Sequence, residues 1–192
     1  GAPYYFNYHA SDPLDPDGGS RKDVGHTVVL GPSGSGKTVF SNVTMVMLEA
    51  AGATKVAFSK DYDSALTVMA TGGTYLPLHY GAQTGFNPFA LEDSPENRAF
   101  LADFLRQLLK RTDRDYTPDE ENELARGLNI LMSLPPESRR LQRLSEGLGL
   151  GEGGLQDRLK KWIYDGEFAW VFDNDEDTVI NVIHNARNIG FD

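Results

Sequence analysis

The sequence predicts an α/β domain built on a parallel sheet and interrupted by an all-helical block. Three observations carry this reading. The short, β-branched run His26-Thr27-Val28-Val29-Leu30 passes directly into a glycine-rich loop, Gly31-Pro32-Ser33-Gly34-Ser35-Gly36-Lys37-Thr38. A helical pattern and a second apolar run, Lys55-Val56-Ala57-Phe58-Ser59, come next. Strand, loop, helix, strand is the crossover unit from which parallel sheets are made. From Ser94 onward the apolar residues recur at helical spacing instead.

Taken in chain order, residues 1–25 read as irregular. Tyr4, Tyr5, Phe6 and Tyr8 form an aromatic cluster suited to an edge strand, with packing favoured over base stacking, and a turn-rich loop spans Ser11 to Ser20. Residues 26–30 read as a buried strand. Residues 37–51 read as a helix with apolar Val39, Phe40, Val43, Val46, Met47 and Ala50, and Gly52 is its stop. After the second strand, Asp63 or Ser64 caps a short helix through Ala70, which Gly72-Gly73 ends. Thr74-Tyr75-Leu76-Pro77-Leu78 is a third strand, placed at a sheet edge because Pro77 has no N–H to donate.

In the helical block, Ser94-Pro95-Glu96 places a hydroxyl cap before a proline at the first helical position. Phe100, Leu101, Phe104, Leu105, Leu108 and Leu109 line one face. Thr117-Pro118-Asp119-Glu120 is a capping box, opening a helix through about Leu134. Pro135-Pro136 breaks it, another helix runs to about Leu148, and a last one covers about Leu155 to Tyr164. The chain thus divides into an N-terminal α/β core part at 1–93, an inserted helical subdomain at 94–165, and a return toward the core at 166–192.

Composition bounds the chemistry. The 192 residues are 40% hydrophobic and 24% charged, which suits one folded domain with a sizeable insertion. A formal net charge of −10 argues against a free basic surface for nucleic acid. Arg139, Arg140 and Arg143 read as a solvated helix face, and so does the acidic run Asp173-Asn174-Asp175-Glu176-Asp177 as a turn. With no cysteine, disulfides, thiolate catalysis and Cys-bound metals are excluded. His9, His26, His79 and His184 have no metal-ligand spacing. No apolar run approaches the roughly 20 residues that span a bilayer, no signal peptide is visible, and the start at Gly1-Ala2-Pro3 reads as that of an excised fragment.

The loop at 31–38 is a phosphate-binding P-loop. An anion needs several donors around it, and backbone N–H groups supply them only where the chain folds tightly about the oxygens. Gly31, Gly34 and Gly36 permit that geometry, with Pro32, Ser33 and Ser35 completing the loop. The N-terminus of the following helix, through Val39, adds N–H groups and positive dipole. Lys37 reaches the β- and γ-phosphates of ATP, and the Thr38 hydroxyl ligates Mg²⁺, so these two are the candidate catalytic groups. Lys60 and Asp61 follow the second strand at its carboxyl end, where open α/β sheets receive ligands, and are candidate site-lining residues, a charged turn being the competing reading. Hydrolysis also needs a Walker B carboxylate. Ala169-Trp170-Val171-Phe172-Asp173 is the nearest match, but Asn174 stands where a catalytic Glu would follow. A guanine-reading Asn-Lys-x-Asp segment is absent, which disfavours GTP.

The segments around this loop resemble the motor domain of the TrbE/CagE-type ATPases of conjugation and type IV secretion systems. The resemblance begins at Gly25-His26-Thr27 and the P-loop and continues through Phe58-Ser59-Lys60-Asp61, Gly72 to Leu78, Thr84-Gly85-Phe86-Asn87-Pro88-Phe89, Glu92 to Arg98, Met132 to Pro136 and Gly166 to Asn174. It spans about residues 4–175. It implies a P-loop NTPase fold with a RecA-like parallel sheet, a ring that is a hexamer, partners among inner-membrane secretion-channel proteins, and a cytoplasmic, membrane-associated location at the bacterial inner membrane. It also implies that the Trp-x-Phe-Asp-Asn segment precedes the Walker B strand rather than forming it, and that this chain ends before that strand. Ser59 stands where the family has Asp, so that carboxylate's role does not carry over. Two alternatives stay open: a non-hydrolysing nucleotide-binding assembly module, and a small-molecule P-loop kinase whose lid would use Arg139, Arg140 and Arg143.

Overall fold

The structure is a computed structural model that describes residues 26–192. The aromatic cluster at Tyr4 to Tyr8, His9 and the loop from Ser11 to Ser20 lie outside the described residues. The chain forms two compact units, residues 1–51 and 52–192.

In the first unit, helix α1 spans Lys37–Glu49. It ends as its sequence predicts, with Ala51 N–H bonded to the Leu48 carbonyl and Gly52 in the left-handed region. Residues 26–30 differ from expectation: they form no strand, and Val28 and Leu30 are 80% and 87% exposed. An apolar, β-branched run satisfies the composition of a buried strand, but a strand exists only where a neighbour accepts its hydrogen bonds, and composition cannot supply the neighbour.

The second unit is built on a parallel sheet that is three-stranded among the described residues. Strand β1 is Lys55–Phe58, β2 is Thr74–Leu76 and β3 is Asn188–Phe191, in the order β1-β3-β2. The register sets Val56 against Ile189 and Tyr75 against Gly190. β2 takes the edge place predicted for it, while β3, which sequence reading left without an element, is central and buried along its whole length. Gly190 explains the close fit: a Cβ there would lie 2.5 Å from the Tyr75 ring and 3.1 Å from Val68. Val68 belongs to helix α2, Ala65–Ala70, which packs against this face. The Phe58 and Phe191 rings stack at 5.3 Å.

The helices follow their local signals. α3 is Pro95–Leu108, with Ser94 Oγ accepting from Asn97 N–H at 3.1 Å. α4 is Pro118–Met132, opened by the capping box of Thr117 and Glu120. The next two predicted helices are shorter than expected. α5, Leu141–Leu144, and α6, Leu155–Leu159, each tighten into a single 3₁₀ turn. α7 is Ala169–Phe172 and α8 is Ile180–Asn185. Leu101, Leu105, Leu131, Met132, Leu141, Leu144, Leu155 and Leu159 make a dry core shared by α3 to α6. Burying a Leu side chain contributes about 1.5–3 kcal/mol, so this cluster is the main store of stability in the unit.

The charged stretches expected to be solvated are structural joints. Arg139 is buried, its Nε donating to the Leu134 carbonyl at 2.8 Å. Arg140 pairs with Asp175, and Arg143 with Glu146 at 2.7 Å. Only the last matches a solvated helix face. Asp177 accepts from the N–H groups of Asn87, Val179 and Ile180, which ties α8 to the loop before α3. Buried Asn174 donates to the Phe86 carbonyl at 2.9 Å. A carboxylate or guanidinium near many backbone groups is drawn to them because leaving those groups unpaired in a core costs about 1–3 kcal/mol each.

Candidate phosphate-binding site

The residues from Gly31 to Thr38 turn tightly onto the start of α1. Ser35 N–H donates to the Pro32 carbonyl at 3.2 Å, and Gly34 and Gly36 take φ values of 77° and 86°. Both values lie in the left-handed region, which a side chain would resist and which turns successive N–H groups toward one side. Gly36 is the N-cap of α1 and no side chain caps the helix; no acidic residue occupies its first turn either. The positive end of the helix dipole thus has neither a side-chain cap nor an acidic neighbour in the first turn, the condition under which a helix start can take up an anion.

Lys37 folds back over the loop. Its Nζ donates to the carbonyls of Gly31 and Pro32, at 2.9 Å each. These bonds hold an ammonium across the same turn whose amides would receive phosphate. Thr38 and Val39 are exposed at the first turn of α1, and Pro32, Ser33 and Ser35 are exposed in the loop. The helix itself starts at once, Phe40 N–H donating to the Gly36 carbonyl at 2.9 Å.

Lys60 and Asp61 lie in the second unit, exposed in the turn at the carboxyl end of β1. That turn is unusual: Asp61 and Tyr62 both have left-handed backbones, φ 63° and 61°, without being glycine. Such conformations persist only when the surroundings hold them. Here the holder is Asp192, at the end of β3. Its Oδ2 accepts from Tyr62 N–H at 2.6 Å, the Tyr75 hydroxyl at 2.8 Å and Ser59 Oγ at 3.4 Å. Ser64 Oγ donates to Ser59 Oγ at 2.8 Å. Partial desolvation pushes the Asp192 carboxyl up, but the donors from Tyr62, Tyr75 and Ser59 outweigh it and hold the group below its usual range. Desolvation pushes the Tyr75 phenol up.

Sequence reading missed Asp192 and the cluster around it. The signal was there in part: an acidic residue directly after the apolar Ile189-Gly190-Phe191, the position at a strand's carboxyl end. Ser59, noted for lacking a carboxylate, sits beside one that β3 brings to it.

Asp173, the nearest match to a metal-binding carboxylate, is engaged otherwise. It is 4% exposed at its side chain, and its oxygens accept from Gln142 N–H at 2.8 Å and Tyr164 N–H at 3.2 Å. It ends a helix, not a strand. Its role is to pin α5 and the turn after α6 against α7.

Comparison with known proteins agrees with the loop geometry. The family model described as the TraG P-loop domain matches residues 20–142. The type IV secretion system protein virB4 of Bartonella quintana is 36% identical over 194 aligned residues, covering all of this chain and 23% of that protein. The virB4 of Brucella abortus biovar 1 is 33% identical, again over all of this chain and 25% of the relative. The type IV secretion system protein PtlC of Bordetella pertussis is 33% identical over 92% of this chain and 23% of its own length. The chain spans about a quarter of the length of these relatives. No helix among the described residues is long and apolar enough to cross a membrane.

Proposed function

The chain belongs to the TraG P-loop domain family, and from that premise we propose that it is the nucleotide-binding part of a motor ATPase that energises type IV secretion or conjugative transfer. The observation that carries the reading is the glycine-rich turn from Gly31 to Gly36, set against an uncapped helix start with the Lys37 ammonium folded over it. That arrangement suits an anion, with main-chain donors and one lysine ammonium on the same turn.

The chemistry follows from this arrangement. The amides of the loop and of the first turn of α1 hold the β-phosphate of ATP. Lys37 exchanges the Gly31 and Pro32 carbonyls for oxygens of the β- and γ-phosphates, so its charge meets the negative charge that grows as the terminal phosphoryl group leaves. Val39 lends its N–H at the helix start. The residues present fit Mg²⁺, which takes few protein ligands and keeps waters and phosphate oxygens; the exposed Thr38 hydroxyl is the group that would hold it. Bound there, Mg²⁺ would neutralise charge between the β- and γ-oxygens. Lys60 and Asp61 stand exposed at the carboxyl end of β1, the edge at which open α/β sheets receive ligands.

In the whole polypeptide we place this domain in a ring of subunits, a hexamer, with sites between neighbours and with inner-membrane secretion-channel proteins as partners, on the cytoplasmic side of the membrane. Titration calorimetry of the chain with ATP, with and without Mg²⁺, tests the core of the reading. We expect one ATP per chain, bound more tightly with Mg²⁺. No uptake of adenine nucleotide overturns it. Measuring phosphate release by the chain and by the full polypeptide then separates a motor from a non-hydrolysing assembly module: turnover in the full polypeptide supports the motor, and binding without turnover there overturns it.

A further inference from the structure

We propose that the second unit carries a peptide-binding groove, between the loop from Gly81 to Gly85 and the segment at 164–178, which takes an extended stretch of a partner protein bearing basic side chains. The groove lies wholly within residues 52–192. Nothing in it depends on a bound nucleotide.

Two open cavities of about 470 Å³ each adjoin there. One is walled by Thr84, Gly85, Asn174, Asp175, Glu176 and Thr178. The other is walled by Arg140, Gln142, Tyr164, Asp165 and Trp170. Gln83 stands on both walls, and the ion pair of Arg140 with Asp175 ties one wall to the other. Each cavity has the volume of a ligand site. Joined through a shared wall they make a trough, which fits a chain better than a compact molecule. Two signs mark it as more than a gap between elements. Tyr164, 62% exposed, has a left-handed backbone at φ 53°, held by its N–H on Asp173 at 3.2 Å. Bulky residues in that conformation gather at ligand clamps. The second sign is unpaired polar atoms. Asn174 Oδ1 and Arg140 Nε are buried without a hydrogen-bond partner, two of four such side-chain atoms among the described residues. Such atoms are costly in a fold, and these two belong to residues of the trough, where a small side-chain shift brings them to an incoming partner.

The chemistry of the walls identifies the occupant. Gln83 makes no hydrogen bond among the described residues, and Gln142 uses only its backbone, its N–H on Asp173 and its carbonyl on Ser145. Their side-chain amides, each both donor and acceptor, match the alternating N–H and C=O groups of a main chain. Asp165 and Glu176 are exposed and have no ion pair among the described residues. Arg140, the cation on these walls, is already neutralised by Asp175. The trough therefore draws positive charge and repels phosphate, which favours a basic peptide over nucleic acid. Trp170 supplies a platform. Its Nε1 donates to the Glu167 carbonyl at 3.0 Å, and the Tyr80 ring meets it edge-on at 5.6 Å, so the indole is fixed in place. A guanidinium or ammonium group over such a ring gains cation–π attraction.

The test is fluorescence anisotropy of the full polypeptide, without nucleotide, against a short labelled peptide of alternating Arg and Ala that carries a photocrosslinker at its centre. A Glu-Ala peptide and an oligothymidylate are the comparisons. The Arg peptide should bind, the other two should not, and crosslinks should fall within residues 81–85 and 164–178. The double variant Asp165→Asn, Glu176→Gln, which alters two exposed side chains that hold nothing else, should bind the Arg peptide about tenfold more weakly. Trp170→Leu should lose about as much. If Trp170→Leu does not fold, Gln83→Ala decides in its place, with a loss of about threefold. No binding of the Arg peptide overturns the proposal, as does equal binding of the Glu-Ala peptide or of oligothymidylate, crosslinks confined to other segments, or unchanged affinity in the double variant. If the polypeptide takes up the peptide but no ATP, the nucleotide reading alone falls.

Discussion

The loop-and-helix unit at residues 26–51 and the unit from residue 52 onward are built on opposite terms. In the first, no residue of α1 is buried, and the groups that matter are main-chain amides, two left-handed glycines and one lysine. In the second, leucines of α3 to α6 are excluded from water, two helices are capped by hydroxyls, and carboxylates are spent on backbone amides. One unit holds its shape by local backbone geometry and starts its helix without a side-chain cap; the other pairs most of its buried polar groups internally. Chemistry and stability should therefore respond to different substitutions.

The sharpest division is expected at Lys37. Lys37→Ala should lower ATP turnover in the full polypeptide by about a thousandfold, about 4 kcal/mol of lost transition-state charge stabilisation, with no change in melting temperature. A parallel loss of stability would mean that the loop is part of the scaffold. Leu105→Ala is the converse. Leu105 is fully buried between α3 and its neighbours, and its truncation should cost about 3–4 kcal/mol in chemical denaturation while ATP affinity per folded molecule is unchanged.

Asp173→Ala comes next. Two backbone donors, at Gln142 and Tyr164, would lose their acceptor, for about 2–3 kcal/mol. The Mg²⁺ dependence of ATP binding should not move. If it does, Asp173 serves the metal after all, and the contrast between the units blurs.

Glu120→Gln probes the capping box by pH. Hydrogen bonding to Arg114, assisted by the Thr117 N–H and Arg158, draws the Glu120 pKa from 4.5 down to about 2. A carboxyl depressed on folding contributes stability that is fully present above its unfolded value and is lost as pH falls toward the folded one. The variant should melt lower at pH 7, by about 4–8 °C for about 2 kcal/mol, and the gap should close between pH 4.5 and about 2. Ser94→Ala, which removes the acceptor for Asn97 N–H, should show the smallest effect, about 1 kcal/mol.

These cases also mark what could be read from the residues alone. Ser94-Pro95 and Thr117-Pro118-Asp119-Glu120 announce helix starts because a cap acts within four residues. The P-loop announces itself for the same reason: its glycines and lysine are contiguous. Strand β3 did not, since Asn188 and Gly190 are poor strand formers and are strands only because β1 and β2 flank them. Residues 26–30 erred the other way, with strand-like composition and no ladder among the described residues. Asp173 and Arg139 were misread because their partners, the amides of Gln142 and Tyr164 and the carbonyl of Leu134, leave no trace in side-chain chemistry. Asp192 joins Ser59 across 133 positions, beyond any local pattern.

That separation has a consequence for how the protein is made. A ribosome delivers β1 and β2 long before β3, on the order of ten seconds earlier at ordinary elongation rates. The capped helices can assemble in that interval from neighbours in sequence, whereas the two waiting strands present bare N–H and C=O groups to whatever else is in reach. Until residues 188–192 slide between them, the nascent chain carries an adhesive seam, and the risk of clumping is greatest just before the middle strand arrives.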